Sequence, residues 1–225
     1  MNALLKYLPV LIVSILVIIG CKKEPAPLFH KEYFGLTEGR YVVYNVIEID
    51  HDQALNQHDT SYYQLKTKWG DIYIDNEGRE AREFLRYTRA TSADSWALQD
   101  LWTGIIDGIR GELIEENQRT VKLVFAPTLS KEWDANAYNV KGELDCYYRD
   151  IHSDTIVNGY AFDSTVVVEQ DEFVSLIDTV RKYEQYAKNV GLIYKYYKDN
   201  HYQPFVSEVV NGKEVYYEYA GSGIE

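Results

Sequence analysis

The chain has 225 residues, with 35 acidic and 23 basic side chains, which gives a formal net charge of −12 at pH 7. An acidic body of this kind is repelled by phosphate backbones, so the composition argues against nucleic acid as a partner. The length suffices for one sizeable domain or two small ones. The 21 tyrosines against one methionine favour β-sheet, because tyrosine suits half-buried pleated surfaces.

The first element along the chain is an apolar run. Residues 8–20 carry no charge and follow Lys6. The run has roughly 13 residues, fewer than the roughly 17 to 25 that a spanning helix needs. Its basic start and small-residue end are typical of a secretory signal. Residues 1–20 are therefore predicted to be a cleaved leader, with an uncleaved signal anchor as the alternative.

The tetrad Ile18-Ile19-Gly20-Cys21 resembles the lipobox of bacterial lipoproteins, in which a small residue precedes the cysteine. The resemblance implies cleavage between Gly20 and Cys21, diacylglyceryl transfer to Cys21 and acylation, for example by palmitate, of the new amino terminus. Two or three acyl chains anchor firmly, since each buried methylene contributes roughly 0.8 kcal/mol. The expected location is the cell envelope. Lys22 is not the aspartate that retains some lipoproteins at the inner membrane, which favours the outer membrane.

Residues 21–33 are predicted to be a flexible tether. They contain two prolines and several charges, and they show no periodicity. No second linker and no repeat of fixed period follows. A single β domain is therefore expected over residues 34–225.

Most of this domain shows the two-residue period and the β-branched and aromatic content of strands. The clearest strand covers residues 39–49. Further strands are predicted at residues 61–69, 72–74, 96–106, 120–125, 144–151, 164–169, 192–197 and 213–219. Turns are predicted at residues 75–78 and 189–191, where Asn and Gly suit positive φ angles. The polar residues 51–59 and 153–163 are expected to form loops, and residues 221–223 a fraying tail.

Two segments fit more than one element. Residues 79–91 have a helical stripe through Ala81, Phe84 and Leu85, but their aromatic content favours a strand. Residues 173–187 give the best helical pattern of the chain. The predicted fold class is all-β: a single antiparallel domain, as a barrel, half-barrel or sandwich, with at most one or two short helices.

Three stretches widen the resemblance. Residues 38–52, 121–139 and 186–196 resemble segments of lipid-anchored envelope lipoproteins of Bacteroidetes-type bacteria that have no assigned activity. The resemblance covers most of the chain after Cys21. It implies location and fold, and it implies no chemistry.

One cluster has the chemistry of metal ligands, namely Asp50, His51, Asp52, His58 and Asp59. No close-set motif fixes the geometry of these side chains, so a solvated loop is expected and no metal is predicted. A metal-dependent hydrolase built on this loop remains the third functional alternative.

Cys146 is the only other cysteine. With Cys21 lipidated it has no disulfide partner, and its apolar and aromatic neighbours predict a buried thiol rather than a nucleophile. The sequence contains no nucleophile elbow, no phosphate-binding glycine loop and no His-Glu-x-x-His motif. The prediction is a protein without catalytic residues or cofactor.

Aromatic side chains suggest binding only weakly. The four tryptophans, with Tyr138, can line a ligand surface, but core packing is their commoner role; they are Trp69, Trp96, Trp102 and Trp133. The predicted function is non-catalytic binding of an unknown ligand or envelope protein by a lipid-anchored chain. The alternative is a half-barrel that carries acyl chains, resembling lipoprotein-localisation factors. Abundant sheet tyrosines favour the first, because a buried hydroxyl without a partner costs roughly 1 to 3 kcal/mol.

Overall fold

The computed structural model describes residues 28–55, 57–205 and 208–225. The predicted leader, the lipobox with Gly20 and Cys21, and most of the predicted tether lie outside the described residues. Across the described ranges the only helix is a 3-10 helix at Lys31–Tyr33. Nothing helical in that part of the chain has the length and apolar content to span a membrane.

Twelve strands follow one another along the described chain. They are β1 (Arg40–Asp52), β2 (Gln57–Ile74), β3 (Glu80–Arg89), β4 (Ala97–Asp107), β5 (Arg110–Glu115), β6 (Gln118–Val124), β7 (Glu132–Asp134), β8 (Asp145–Val157), β9 (Tyr160–Val174), β10 (Asp178–Ala187), β11 (Gly191–Tyr202) and β12 (Val209–Ile224). Every pairing between them is antiparallel. The prediction of an all-β, antiparallel fold is confirmed.

The strands form one sheet in the order β6-β5-β4-β3-β2-β1-β12-β11-β10-β9-β8-β7. Each half of the chain is a six-stranded meander. The two halves join at the centre, where β1 pairs with β12 from Arg40 opposite Ile224 to Asp52 opposite Asn211. The sheet curls until its edge strands, β6 and β7, approach each other. Of the predicted shapes, the fold is therefore an almost closed barrel.

Two side chains and one backbone bond, rather than a strand ladder, close the seam between β6 and the edge formed by β7 and β8. Trp133 Nε1 donates to the Val121 carbonyl at 3.1 Å, and the Tyr148 hydroxyl donates to the Val124 carbonyl at 2.8 Å. A backbone bond runs from Val121 N to Ala135 O at 2.9 Å. These contacts occupy groups that an edge strand would otherwise present to another chain.

The barrel interior is filled by aromatic and branched side chains. The Phe34 ring lies 5.5 Å from Trp69 and 6.5 Å from Phe125. A second packed cluster contains Tyr44 and Leu65, both almost fully buried. Burying side chains of this size contributes roughly 1.5 to 3 kcal/mol each, which is the main force holding the curled sheet together.

The chain enters the domain at one end of the sheet, which we call the tether end; the opposite end is the mouth. At the tether end the Tyr33 hydroxyl lies 2.7 Å from both His152 Nδ1 and Ser164 Oγ. Tyr33 and Phe34 are both buried. The expected start of the domain at residue 34 falls inside this packed segment.

Several predicted loops are strands. Residues 153–163 belong to a continuous β8–β9 hairpin that turns only at Asn158 and Gly159, both with positive φ. Residues 51–59 include the end of β1 and the start of β2. Residues 221–223 are not a fraying tail, because Gly223 lies opposite Tyr41 on β1 and packs against its ring. Polar composition misled the prediction, since these strands expose at least one face to water.

Residues 173–187 do not form the helix that their pattern suggested; they lie in two strands and the turn between them. Phe173 belongs to β9 and Asp178 begins β10. Phe173 is more than half exposed, so the apolar stripe that mimicked a helix is not a buried face. For residues 79–91 the strand preference is confirmed by β3. The turns predicted at residues 75–78 and 189–191 are confirmed, with Asn189 at φ 61° and Gly191 at φ 101°.

Candidate functional site

The concave side of the barrel holds a cavity of about 80 Å³. Most of its wall is apolar and includes Phe34, Val42, Leu65, Trp69, Phe84, Trp102, Leu113 and Leu192. Charged side chains also line it, namely Arg86, Glu115, Lys122, Glu184 and Lys195. Small-molecule sites usually measure roughly 300–1,000 Å³. The cavity is therefore much smaller than a site for an acyl chain.

A buried ion pair crosses this cavity. Lys122 Nζ on β6 lies 2.8 Å from Glu184 Oε1 on β10, and the Tyr186 hydroxyl donates to Glu184 Oε2 at 2.5 Å. Burial by itself raises the pKa of Glu184, but the charges of Lys122 and Lys195 and the hydrogen bonds from Lys122 and Tyr186 together outweigh burial and lower that pKa from its ordinary value. Burial likewise opposes the charge on Lys122, yet Glu184 raises the pKa of Lys122 above 10.5. Both groups are charged at neutral pH.

Arg86 on β3 forms the wall between the cavity and the mouth. Its guanidinium lies over the Trp102 ring at 4.0 Å and bonds to Asp100 Oδ2 at 2.5 Å. A longer contact of 3.4 Å reaches the Tyr217 hydroxyl on β12. Stacking and the carboxylate hold the guanidinium plane in one orientation, with its remaining N–H groups available for a ligand.

Beyond Arg86 the barrel opens into a groove of about 740 Å³, which we call the mouth groove. Its lining comes from β1 to β4 and the β3–β4 turn: Glu48, Tyr63, Arg86, Thr88, Arg89, Ala90, Asp94, Ser95, Ala97, Gln99 and Asp100. The Tyr63 hydroxyl donates to Glu48 Oε2 at 3.1 Å, and the Arg89 guanidinium lies 4.1 Å from the Trp96 ring at the rim. The groove has the size of a small-molecule site, and its walls are polar.

The candidate metal-ligand residues of the sequence do not converge. Strand register places His51 opposite His58, and their Nδ1 atoms lie 3.0 Å apart as a hydrogen-bonded pair. Asp50 pairs with Asp59 one residue along, so those carboxylates point to the other face of the hairpin. Asp52 accepts a bond from the Leu55 backbone instead. Among the described residues, no three His, Cys, Asp or Glu side chains are grouped to hold a metal ion.

Cys146 is buried and has a free thiol, as predicted. Burial raises its pKa to about 12, although Lys122 opposes this shift. The thiol is therefore protonated at neutral pH, and a protonated thiol is a poor nucleophile.

The four tryptophans divide between packing and the site. Trp69 is core, with its ring 4.4 Å from Phe84, while Trp133 closes the seam. Trp96 and Trp102 support Arg89 and Arg86 at the groove.

Tyr138 lies away from the groove, over the guanidinium groups of Arg110 and Arg119 at 4.7 and 4.6 Å. The turn after Trp133 is held by the next residue, Asp134. Asp134 Oδ1 accepts bonds from the backbone N of Asn136 and of Leu144.

The sequence reasoning missed the charged residues of the barrel interior. Lys122 could have been singled out in the sequence, because it stands between two apolar residues, Val121 and Leu123, which are both buried. Arg86 and Glu184 carried none that distinguishes them from surface charges.

No protein-family model matches the chain, and no curated protein matches its sequence. Two crystal structures are similar to it. One, with a TM-score of 0.41 and 12% identity, is described as a lipoprotein of Parabacteroides distasonis ATCC 8503. The other, with a TM-score of 0.38 and 11% identity, is an exported protein with a YmcC-like fold from Bacteroides fragilis NCTC 9343. Each match covers 87% of this chain and 100% of the other.

Proposed function

We propose that this chain is a lipid-anchored lipoprotein of the bacterial cell envelope, at the outer membrane, whose β domain binds a polar ligand in the mouth groove and performs no catalysis. The lipobox residues Ile18 to Cys21 support the anchor, and Cys21 is the acylated residue. The observation that carries the binding role is the position of Arg86, which is held by Trp102 and Asp100 at the floor of a groove of about 740 Å³.

The non-catalytic assignment rests on how the candidate chemical groups are used. His51 and His58 bond to each other, and the Cys146 thiol is buried and protonated. Glu184, the most deeply buried carboxylate of the cavity wall, is neutralised by Lys122.

A carrier of acyl chains is the second candidate, because much of the cavity wall is apolar. Its volume of about 80 Å³ argues against that role. An acyl chain would enter only if packed side chains such as Phe84 and Trp102 moved apart, which disrupts a close-packed interior.

The anchor is tested by substituting Cys21. Cys21→Ala removes the acceptor sulfur, so a fatty-acid analogue fed to the producing cells should label the natural chain and leave the variant unlabelled. The variant should also keep its leader. A labelled Cys21→Ala chain would contradict the proposed anchor.

The binding role is tested by mass spectrometry of the compounds released when the purified protein is denatured. We expect a polar compound from the natural chain, much less from Arg86→Gln, and an unchanged amount from Arg79→Gln, whose side chain lies outside the groove. Near-stoichiometric phospholipid or fatty acid would favour the carrier. Equal amounts of the polar compound from Arg86→Gln and Arg79→Gln would refute the role of Arg86.

A further inference from the structure

Apolar side chains are exposed at the tether end, where the chain enters the domain. Leu28 and Leu129 are 74% and 62% exposed, and Phe29 and Ile109 are each more than 40% exposed. Single exposed apolar residues are common on soluble proteins, whereas a group of them on one surface marks a contact.

Backbone hydrogen bonds place these residues side by side. Ala126 N donates to Phe29 O at 2.7 Å, and Phe125 N donates to Ile109 O at 2.6 Å. The entering segment, the β4–β5 turn and the chain leaving β6 therefore form one surface. Leu129 follows on the segment that leaves β6. We call Leu28, Phe29, Ile109 and Leu129 the apolar patch.

The patch lies close to the predicted acylation site. Leu28 follows Cys21 by seven residues, and seven residues span at most roughly 25 Å even when fully extended. The contacts of Tyr33 with His152 and Ser164 fix the entering segment to the tether end. A lipid on Cys21 therefore keeps the tether end within roughly 25 Å of the bilayer.

Building on the proposed anchor, we propose that the tether end rests on the bilayer surface, with the apolar patch among the lipid headgroups. The acyl anchor makes this second contact intramolecular, so the high local concentration of lipid allows a weak apolar contact to be occupied. Lys31, whose Nζ lies 6.0 Å from the Phe29 ring, supplies a cation for lipid phosphate beside the patch. The mouth groove then faces away from the membrane and stays open.

The mouth provides an internal control. Leu176, in the turn between β9 and β10, is 91% exposed, more than any residue of the patch. It lies at the other end of strands such as the 13-residue β1, which span roughly 40 Å. Exposure alone predicts lipid contact at both ends, whereas the proposal predicts contact only at the tether end.

The test uses the mature chain purified from the producing cells and reconstituted into phosphatidylcholine vesicles. Leu129→Cys, Ile109→Cys and Leu176→Cys each carry a polarity-sensitive fluorophore, and the buried Cys146 thiol should leave the natural chain unlabelled. At Leu129 and Ile109 we expect blue-shifted emission and quenching by spin-labelled acyl chains. At Leu176 we expect emission typical of water and no quenching.

Vesicle flotation of the same samples separates this proposal from the proposed anchor. Chains that float, with the labels at Leu129 and Ile109 as unquenched as the label at Leu176, would refute the contact and leave the anchor standing. Chains that do not float would refute both. Equal quenching at all three positions would also refute it, since the contact would not be specific to one end.

Discussion

At the scale of single residues, the charge balance of the barrel interior depends on the Lys122–Glu184 ion pair. The side chain of Glu184 is 2% exposed and that of Lys122 is 12% exposed. A buried pair contributes little by its presence, because desolvation offsets the attraction, but removing one partner leaves an uncompensated buried charge.

We expect Lys122→Met to reduce the free energy of unfolding by about 3 to 5 kcal/mol at pH 7, because Glu184 would lose its main counter-ion. Adding Glu184→Gln should restore most of the loss. Urea denaturation of the natural chain, Lys122→Met and the double variant measures both the loss of stability and its restoration. Lys68→Met is the matched control and should cost about 1 kcal/mol or less, since its partner Glu225 is 45% exposed. If Lys122→Met were as stable as Lys68→Met, the assigned role of the buried ion pair would be contradicted.

The pH dependence of this pair follows from the directions of the two pKa shifts. The pKa of Glu184 is lowered in the fold, so its contribution is present above pH 4.5 and is lost as pH falls through the folded value. The pKa of Lys122 is raised, so its contribution is present below pH 10.5 and is lost as pH rises through the folded value. The stability difference between the natural chain and the double variant should therefore be constant between these limits.

At the scale of elements, alternation and turn chemistry identified the strands but not their lengths. Residues 39–49 and 120–125 were placed well, because each combines β-branched residues with one buried face. The β8–β9 hairpin was cut short at residue 153, since Asp154 and Ile156 on its outer part both face solvent although one is polar and the other apolar. Where the exposed face of a strand mixes polar and apolar side chains, the two-residue period is obscured in the sequence.

The contacts that close the seam between β6 and β7 lead to a specific prediction for stability and hydrogen exchange. Trp133→Phe keeps an aromatic ring beside Tyr148 but removes the donor to the Val121 carbonyl. A buried carbonyl left without a partner costs roughly 1 to 3 kcal/mol, so we expect a loss of that size in urea denaturation. Amide hydrogen exchange in β6 should accelerate. Trp96→Phe, at the rim of the groove, should leave β6 unchanged, and unaltered exchange in Trp133→Phe would contradict the role of the seam.

At the scale of the whole molecule, the site was not predictable although the fold class was. The cavity wall takes Arg86 from β3, Lys122 from β6 and Glu184 from β10. Those strands meet only because the sheet curls, and curling depends on packing among residues distant in sequence. The pairing of β1 with β12 is a further long-range contact that no local pattern signals. A sequence read locally gives strands and turns, and it leaves their neighbours undetermined.

The central place of β12 has a consequence for biosynthesis. Of the twelve described strands β12 is translated last, yet it lies between β1 and β11 and is the one described strand that joins the two meanders in the sheet. Until Val209–Ile224 has left the ribosome, the described strands from β1 to β6 and those from β7 to β11 share no ladder. Completion of the barrel is thereby postponed until the last of these strands has been made. A nascent chain kept open in this way remains suited to translocation through a narrow channel, as the export proposed for it requires.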